Sequence, residues 1–222
     1  PSASGGTDRT TDVDSLGIVQ DQKPVRAGRP GSPDGFATKA FAVRFDPNPP
    51  FGAFFTRIND ITDPENTVDI ASLSRPNGVD LKVILAGEFL GNDFSRWFGS
   101  DEFSRDLVTI DTETGETSDS LGFVQGSEEV AVWRGLAWDA TTDTLYAVGT
   151  DTFNALPDTR FFLARFDLGH DVVATTIGEL PGIAQGVSPV DIAVDPAGRM
   201  FAVDIQGNRL FAIDKQTADA FP

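Results

Sequence analysis

The chain has no cysteine among its 222 residues. That single absence removes disulfides, thiolate zinc sites and thiol nucleophiles. It has one histidine, His170, so a zinc site built on imidazoles lacks its ligands as well. His170 lies in Asp167-Leu-Gly-His-Asp171, and a His–Asp pair can serve a serine nucleophile. No Gly-x-Ser-x-Gly elbow accompanies it, which leaves an exposed turn histidine. No apolar run approaches the roughly 18 residues of a membrane span. Basic residues are also scarce, 17 against 34 acidic ones, for a net charge of −17. A surface this acidic repels phosphate backbones and anionic lipid, so nucleic acid is not an expected partner, and the short apolar runs leave no membrane span.

What is present is aspartate, glycine and short apolar runs. Asp outnumbers Glu 26 to 8, and Arg outnumbers Lys 13 to 4. High acidity with little lysine suits solubility in salty surroundings, divalent cations or a basic partner. The 22 glycines and 14 prolines suit many short strands joined by turns. The chain opens on Pro1, as expected of a processed product or a fragment; a removed signal peptide would place the protein outside the cell or at its surface.

Residues 1–35 are rich in Ser, Gly, Thr, Asp and Pro and read as an irregular arm. One strand is expected inside it. Asp14-Ser-Leu-Gly-Ile-Val-Gln20 recurs as Asp119-Ser-Leu-Gly-Phe-Val-Gln125. Residues 36–222 read as one all-β domain of short strands and turns.

Repeats organise that domain. Apolar runs ending in Asp occur at Phe41–Asp46, Leu107–Asp111, Phe162–Asp167 and Leu210–Asp214. Between them lie three expected hairpins. Val68–Leu73 leads into Leu81–Gly87, Gly135–Asp139 into Thr144–Gly149, and Val190–Asp195 into Arg199–Asp204. Asp139 and Asp195 stand where a carboxylate can cap a turn, and Gly198 can supply a positive φ. Hairpin, Asp-ended run and following run make a four-stranded antiparallel unit, the signature of a β-propeller blade. Residues 133–222 resemble secreted bacterial β-propeller repeat proteins of unknown function. The likeness rests on Gly135-Leu-Ala-Trp-Asp-Ala-Thr-Thr-Asp-Thr-Leu-Tyr-Ala-Val148 and Asp191-Ile-Ala-Val-Asp-Pro-Ala-Gly-Arg-Met-Phe-Ala-Val203. Such motifs speak for fold and not for chemistry.

By this reading about three and a half blades are visible: two strands, two whole blades near 67–125 and 133–180, then three strands from 188. The ring is then partial, part of a larger propeller, closed by the Asp14–Gln20 strand, or completed by self-association through open blade edges.

For chemistry, calcium is the expected cofactor if there is one, because Asp-rich loops offer oxygen ligands. One candidate set is Glu88, Asn92 and Asp93 with Asp101 and Glu102; the other is Asp139, Asp143 and Asp151. Turn capping explains many of the same carboxylates. Residues 87–105 read as a long loop between strands, carrying Phe89, Phe94, Trp97, Phe98 and Phe103. Those aromatics can stack on a sugar, anchor a protein, or pack as a local core. Trp133 and Trp138 read as core. The function expected is a non-catalytic extracellular binding, scaffold or assembly module with a protein or glycan partner. The alternative is a calcium-dependent hydrolase or lyase acting on polysaccharide.

Overall fold

In the computed structural model the protein is all-β. It describes residues 13–18, 40–46, 52–59, 65–73, 84–90, 94–102, 104–118, 120–152, 159–169, 171–180, 189–204 and 209–221. Sixteen strands among these residues form four antiparallel four-stranded sheets, arranged as a four-bladed β-propeller. Blade 1 holds β1 (Val13–Ile18), β2 (Ala40–Asp46), β3 (Gly52–Ile58) and β4 (Thr67–Ser72). Blade 2 holds β5 (Ile84–Phe89), β6 (Arg96–Asp101), β7 (Asp106–Asp111) and β8 (Gly122–Phe123). Blade 3 holds β9 (Val132–Asp139), β10 (Thr144–Thr150), β11 (Phe161–Leu168) and β12 (Val172–Glu179). Blade 4 holds β13 (Pro189–Val194), β14 (Met200–Asp204), β15 (Arg209–Ile213) and β16 (Ala220–Phe221).

Three expectations change. Val68–Leu73 and Leu81–Gly87 do not form a hairpin: β4 ends blade 1 and β5 begins blade 2. The segment 87–105 is not a long loop, because it contains β6, paired with both β5 and β7. The Asp14–Gln20 segment neither resembles its twin in role nor closes the last blade. Its strand β1 pairs with β2 as the first strand of blade 1, while Gly122–Phe123 is the last strand of blade 2. Blade 4 has its own fourth strand, reduced to two residues.

The register shows how closely the blades repeat. Each first strand carries a register shift, a β-bulge, at Asp14, Leu85, Arg134 and Val190. The pair just after it is Ser15–Val43, Ala86–Ser100, Gly135–Val148 and Asp191–Val203. On the third strands the next partners are Phe55, Leu107, Leu163 and Leu210. Two residues before Val43, Ser100, Val148 and Val203 stands an aromatic: Phe41, Phe98, Tyr146 and Phe201. The columns of Val43, Phe55 and Phe41 line the face each blade turns toward the next, its leading face. The opposite, trailing face carries Trp97 and Ile110 in blade 2, Leu145 and Phe166 in blade 3, and Met200 and Ile213 in blade 4.

The core lies in the seams between blades, leading face on trailing face. Phe41, Val43 and Phe55 of blade 1 meet Trp97, Val108 and Ile110 of blade 2. Leu107 meets Trp133, Leu136, Leu145 and Phe166. Tyr146, Val148 and Leu163 meet Ile192, Met200, Phe211 and Ile213. Trp133 is buried as expected, and Trp138 is partly buried against the same seam. The leading face of blade 4 has no such cover: Val203 is 46% exposed and Leu210 57%, whereas Val148 and Leu163 are fully buried.

Equivalent leucines should therefore differ in energetic weight. Leu163→Ala should cost about 2–5 kcal/mol through a lost core contact and a cavity. Leu210→Ala should stay within about 0.5 kcal/mol. Urea unfolding of the two variants checks this, and equal costs would refute the difference between the two faces.

Candidate functional site

The innermost strands β5, β9 and β13 lie side by side around the axis, each packed on the next. One edge of β9 is hydrogen-bonded to β10, so alternate N–H groups on its other edge point toward the axis and need acceptors. Two acidic side chains from the flanking blades supply them. The Trp138 N–H donates to Glu88 Oε2 at 3.3 Å, and the Phe89 N–H donates to Glu88 Oε1 at 2.6 Å. Asp191 Oδ1 accepts from its own neighbour, the Ile192 N–H, at 2.8 Å, and the Asp191 carboxylate also accepts from the Leu136 N–H. The two carboxyl groups thus bind the same edge of β9 from opposite sides.

Gly135 makes room for this arrangement. A Cβ on it would lie 2.8 Å from Asp191 Oδ1 and 2.9 Å from the Ile192 nitrogen. The second of these is with backbone and cannot be relieved by turning a side chain, so the glycine lets β13 and its carboxyl approach β9. Sequence reasoning selected Glu88 as a metal ligand and passed over Asp191. The signal that could have found Asp191 is its register position, opposite the glycine that opens the Gly135-Leu-Ala-Trp motif.

Burial dominates the electrostatics of the pair. It raises the Glu88 pKa to about 7, although the backbone donors of Phe89 and Trp138 pull it down. Burial also holds Asp191 well above the ordinary carboxyl range, with Ile192 and Leu136 opposing and the Glu88 charge reinforcing the rise. Chemically, two carboxyls that keep protons toward neutrality can act as general acids or bases.

The other expected sites are dispersed. Glu88 is paired with Phe98 and Asp101 with Ile84, so four residues of strand, roughly 13 Å, separate the two acids. Asp101 accepts from the Ser104 N–H at 3.4 Å, and Glu102 meets Arg134 at 3.9 Å. Asn92, Asp93, Phe103 and His170 lie outside the described residues. Asp143 takes the left-handed position of the β9–β10 turn, with φ 55°. Asp151 stands past the far end of β10, roughly 20 Å along the strand, and binds Arg160 at 2.8 Å. Among the described residues, no group of three or more Asp, Glu or His side chains is arranged to hold a metal ion.

Asp139 is the most enclosed of the candidate ligands. It caps its turn through the Thr141 N–H at 2.9 Å and the hydroxyls of Thr141 and Thr142, and it accepts from Lys215 of blade 4. Burial alone would raise its pKa, but the Lys215 and threonine donors outweigh it and hold the carboxyl well below the usual range. Asp195, in the equivalent turn, accepts from the Ala197 and Arg199 N–H groups. Both turns are therefore capped as their sequences predict.

The described aromatics of this segment pack inward, Phe89 on β5 and Trp97 and Phe98 on β6. Trp97 and Phe89 are buried in the seam between blades 1 and 2. Phe94 packs against that cluster edge-on to Phe89, with ring centroids 5.5 Å apart, and Phe98 packs into the next seam.

No protein-family model and no curated protein matches the chain. Among solved structures it is similar to a chain of a nidogen/laminin complex, with 11% identity, TM-score 0.48 and coverage of 83% of this chain and 58% of that one. It is also similar to a protein of unknown function from Bacteroides thetaiotaomicron, with 16% identity, TM-score 0.47 and coverage of 78% and 43%. A third is a putative oxidoreductase (glucose dehydrogenase) from Thermus thermophilus, with 18% identity, TM-score 0.40 and coverage of 61% and 44%. The chain thus spans less than two thirds of each. Likeness at this level carries no activity across.

Two measurements probe the site. Glu88 binds its proton more tightly folded (about 7) than unfolded (4.5), so its contribution to stability falls as pH rises through that window and is constant outside it. Between pH 5 and pH 7.5, Glu88→Gln should lose less stability than the parent, by on the order of 3 kcal/mol. Parallel urea curves at the two pH values check this; identical losses would sink it. Separately, Asp139→Ala strands Lys215 without its partner and should cost about 3–5 kcal/mol in the same assay.

Proposed function

We propose that the chain is a non-catalytic extracellular binding or assembly module built on propeller blades, with a protein as its partner. The observation that carries this is the uncovered leading face of blade 4. Phe201, Val203, Leu210 and Phe221 occupy one side of it, and the last three are 46%, 57% and 57% exposed. A contiguous apolar strip on a sheet is the kind of surface that partner proteins cover. It fits a protein better than a glycan, since it offers aliphatic area rather than hydrogen-bonding groups. The extracellular placement extends from the secreted-protein resemblance of residues 133–222 and from the acidity of the chain.

A second reading, a polysaccharide hydrolase or lyase, draws on the raised carboxyl pair Glu88 and Asp191. Calcium enters only with that reading. Incubation with pectate, alginate and xylan, each with calcium or with EDTA, separates the two. The binding module releases no reducing ends and no unsaturated products under either condition. Release that disappears in Glu88→Gln would establish the enzyme instead.

A further inference from the structure

We propose that the leading face of blade 4 receives a further four-stranded blade of the same ring, docked by its trailing face. This rests on the reading that the face is a binding surface, and it names the occupant.

The argument is one of equivalent positions. Val203 occupies the place of Val43, Ser100 and Val148. Leu210 occupies that of Phe55, Leu107 and Leu163. All six counterparts in blades 1 to 3 are buried, and the five apolar ones pack against the trailing face of the blade that follows. Ala193 and Ala212, on the same side of blade 4, are exposed too. Their neighbours Ile192, Met200, Ala202, Phe211 and Ile213 point the other way and are buried against blade 3. Blade 4 therefore presents on its open side the surface that blades 1 to 3 use to accept a successor. The seam between blades 3 and 4 shows what the successor must carry: mostly large apolar residues, in the places of Met200, Ala202, Phe211 and Ile213.

A second copy of residues 1–222 does not supply that face. The trailing face of blade 1 is already buried at Ala40, Ala42, Thr56 and Ile58. The remaining option for two copies sets one leading face on another, which none of the three observed seams does.

The test extends the chain. Residues 181–222, the fourth blade with its known trailing face, are repeated after Pro222. The absence of cysteine makes Leu210→Cys, placed only in the original blade 4, a unique reporter. In the 222-residue chain a thiol reagent should label it at the rate of an exposed side chain. In the extended chain labelling should slow at least ~10-fold, as expected when a site opens only by local separation of the blades. Leu210→Asp should lower the Tm of the extended chain and leave that of the 222-residue chain unchanged. Equal labelling in both chains, or equal effects of Leu210→Asp, would overturn the proposal. Protection in the 222-residue chain that grows with protein concentration would also overturn it, in favour of a second copy. Turnover that depends on Glu88 would defeat the binding-module reading while leaving the labelling result untouched.

Discussion

A four-stranded sheet with two apolar faces cannot cover either of them by itself. Every seam here follows from that constraint. Each blade turns an aromatic, a small or branched residue and a bulky residue toward its successor, and receives the large apolar residues of the successor's trailing face. Burial at these seams, and not hydrogen bonding within the blades, ties the four sheets together. Val203 and Leu210 remain in solvent because the rule has no further blade within these residues on which to act.

Polar groups settle how the seams align. The free edge of β9 would leave N–H groups unanswered next to the axis, and the carboxyls of Glu88 and Asp191 answer them from the neighbouring blades. At the rim, Gln125 follows β8 and bridges in parallel to Val173 of β12, exchanging backbone bonds with Val172 and Ala174. Asp139 and Lys215 tie the β9–β10 turn of blade 3 to the β15–β16 turn of blade 4. Arginine has a further use that lysine serves less well. Arg160, Arg199 and Arg209 each lie over the aromatic ring two residues ahead in the chain, at 5.2, 5.9 and 5.2 Å. The excess of Arg over Lys is partly this stacking.

The second half of the chain was legible from sequence, because its strands are long and its hairpins carry complete turn chemistry. Asp139 and Asp195 marked the first turns of blades 3 and 4, and Leu107–Asp111, Phe162–Asp167 and Leu210–Asp214 marked third strands. The first half slipped by one strand. Phe41–Asp46 has the same pattern as those third strands but is the second strand of its blade, since a period-two apolar run reads alike on every rung. The larger loss was β6. Its Gly99-Ser100-Asp101 end looks like a loop, and its strand character comes from a distant fit: a Cβ on Gly87 would strike the Trp97 ring at 1.7 Å. The glycine of one strand is the space for the tryptophan of the next, which no local pattern announces. Asp191 escaped for the same reason, since its role is set by Gly135 on another blade.

The seams differ in what holds them. Between blades 1 and 2 the contact is built on aromatic rings: Phe41 on Phe55 at 5.4 Å, Phe55 on Trp97 at 5.6 Å and Phe41 on Phe89 at 5.8 Å. Between blades 3 and 4 an enclosed Asp139–Lys215 pair stands beside the apolar contact. Apolar association weakens on cooling and the desolvation cost of an ion pair rises, so temperature moves both seams in the same direction. Acid, by contrast, acts unevenly around the ring: protonating Asp139 removes the charge pair beside the blade 3–4 seam and leaves the rings of the blade 1–2 seam as they are.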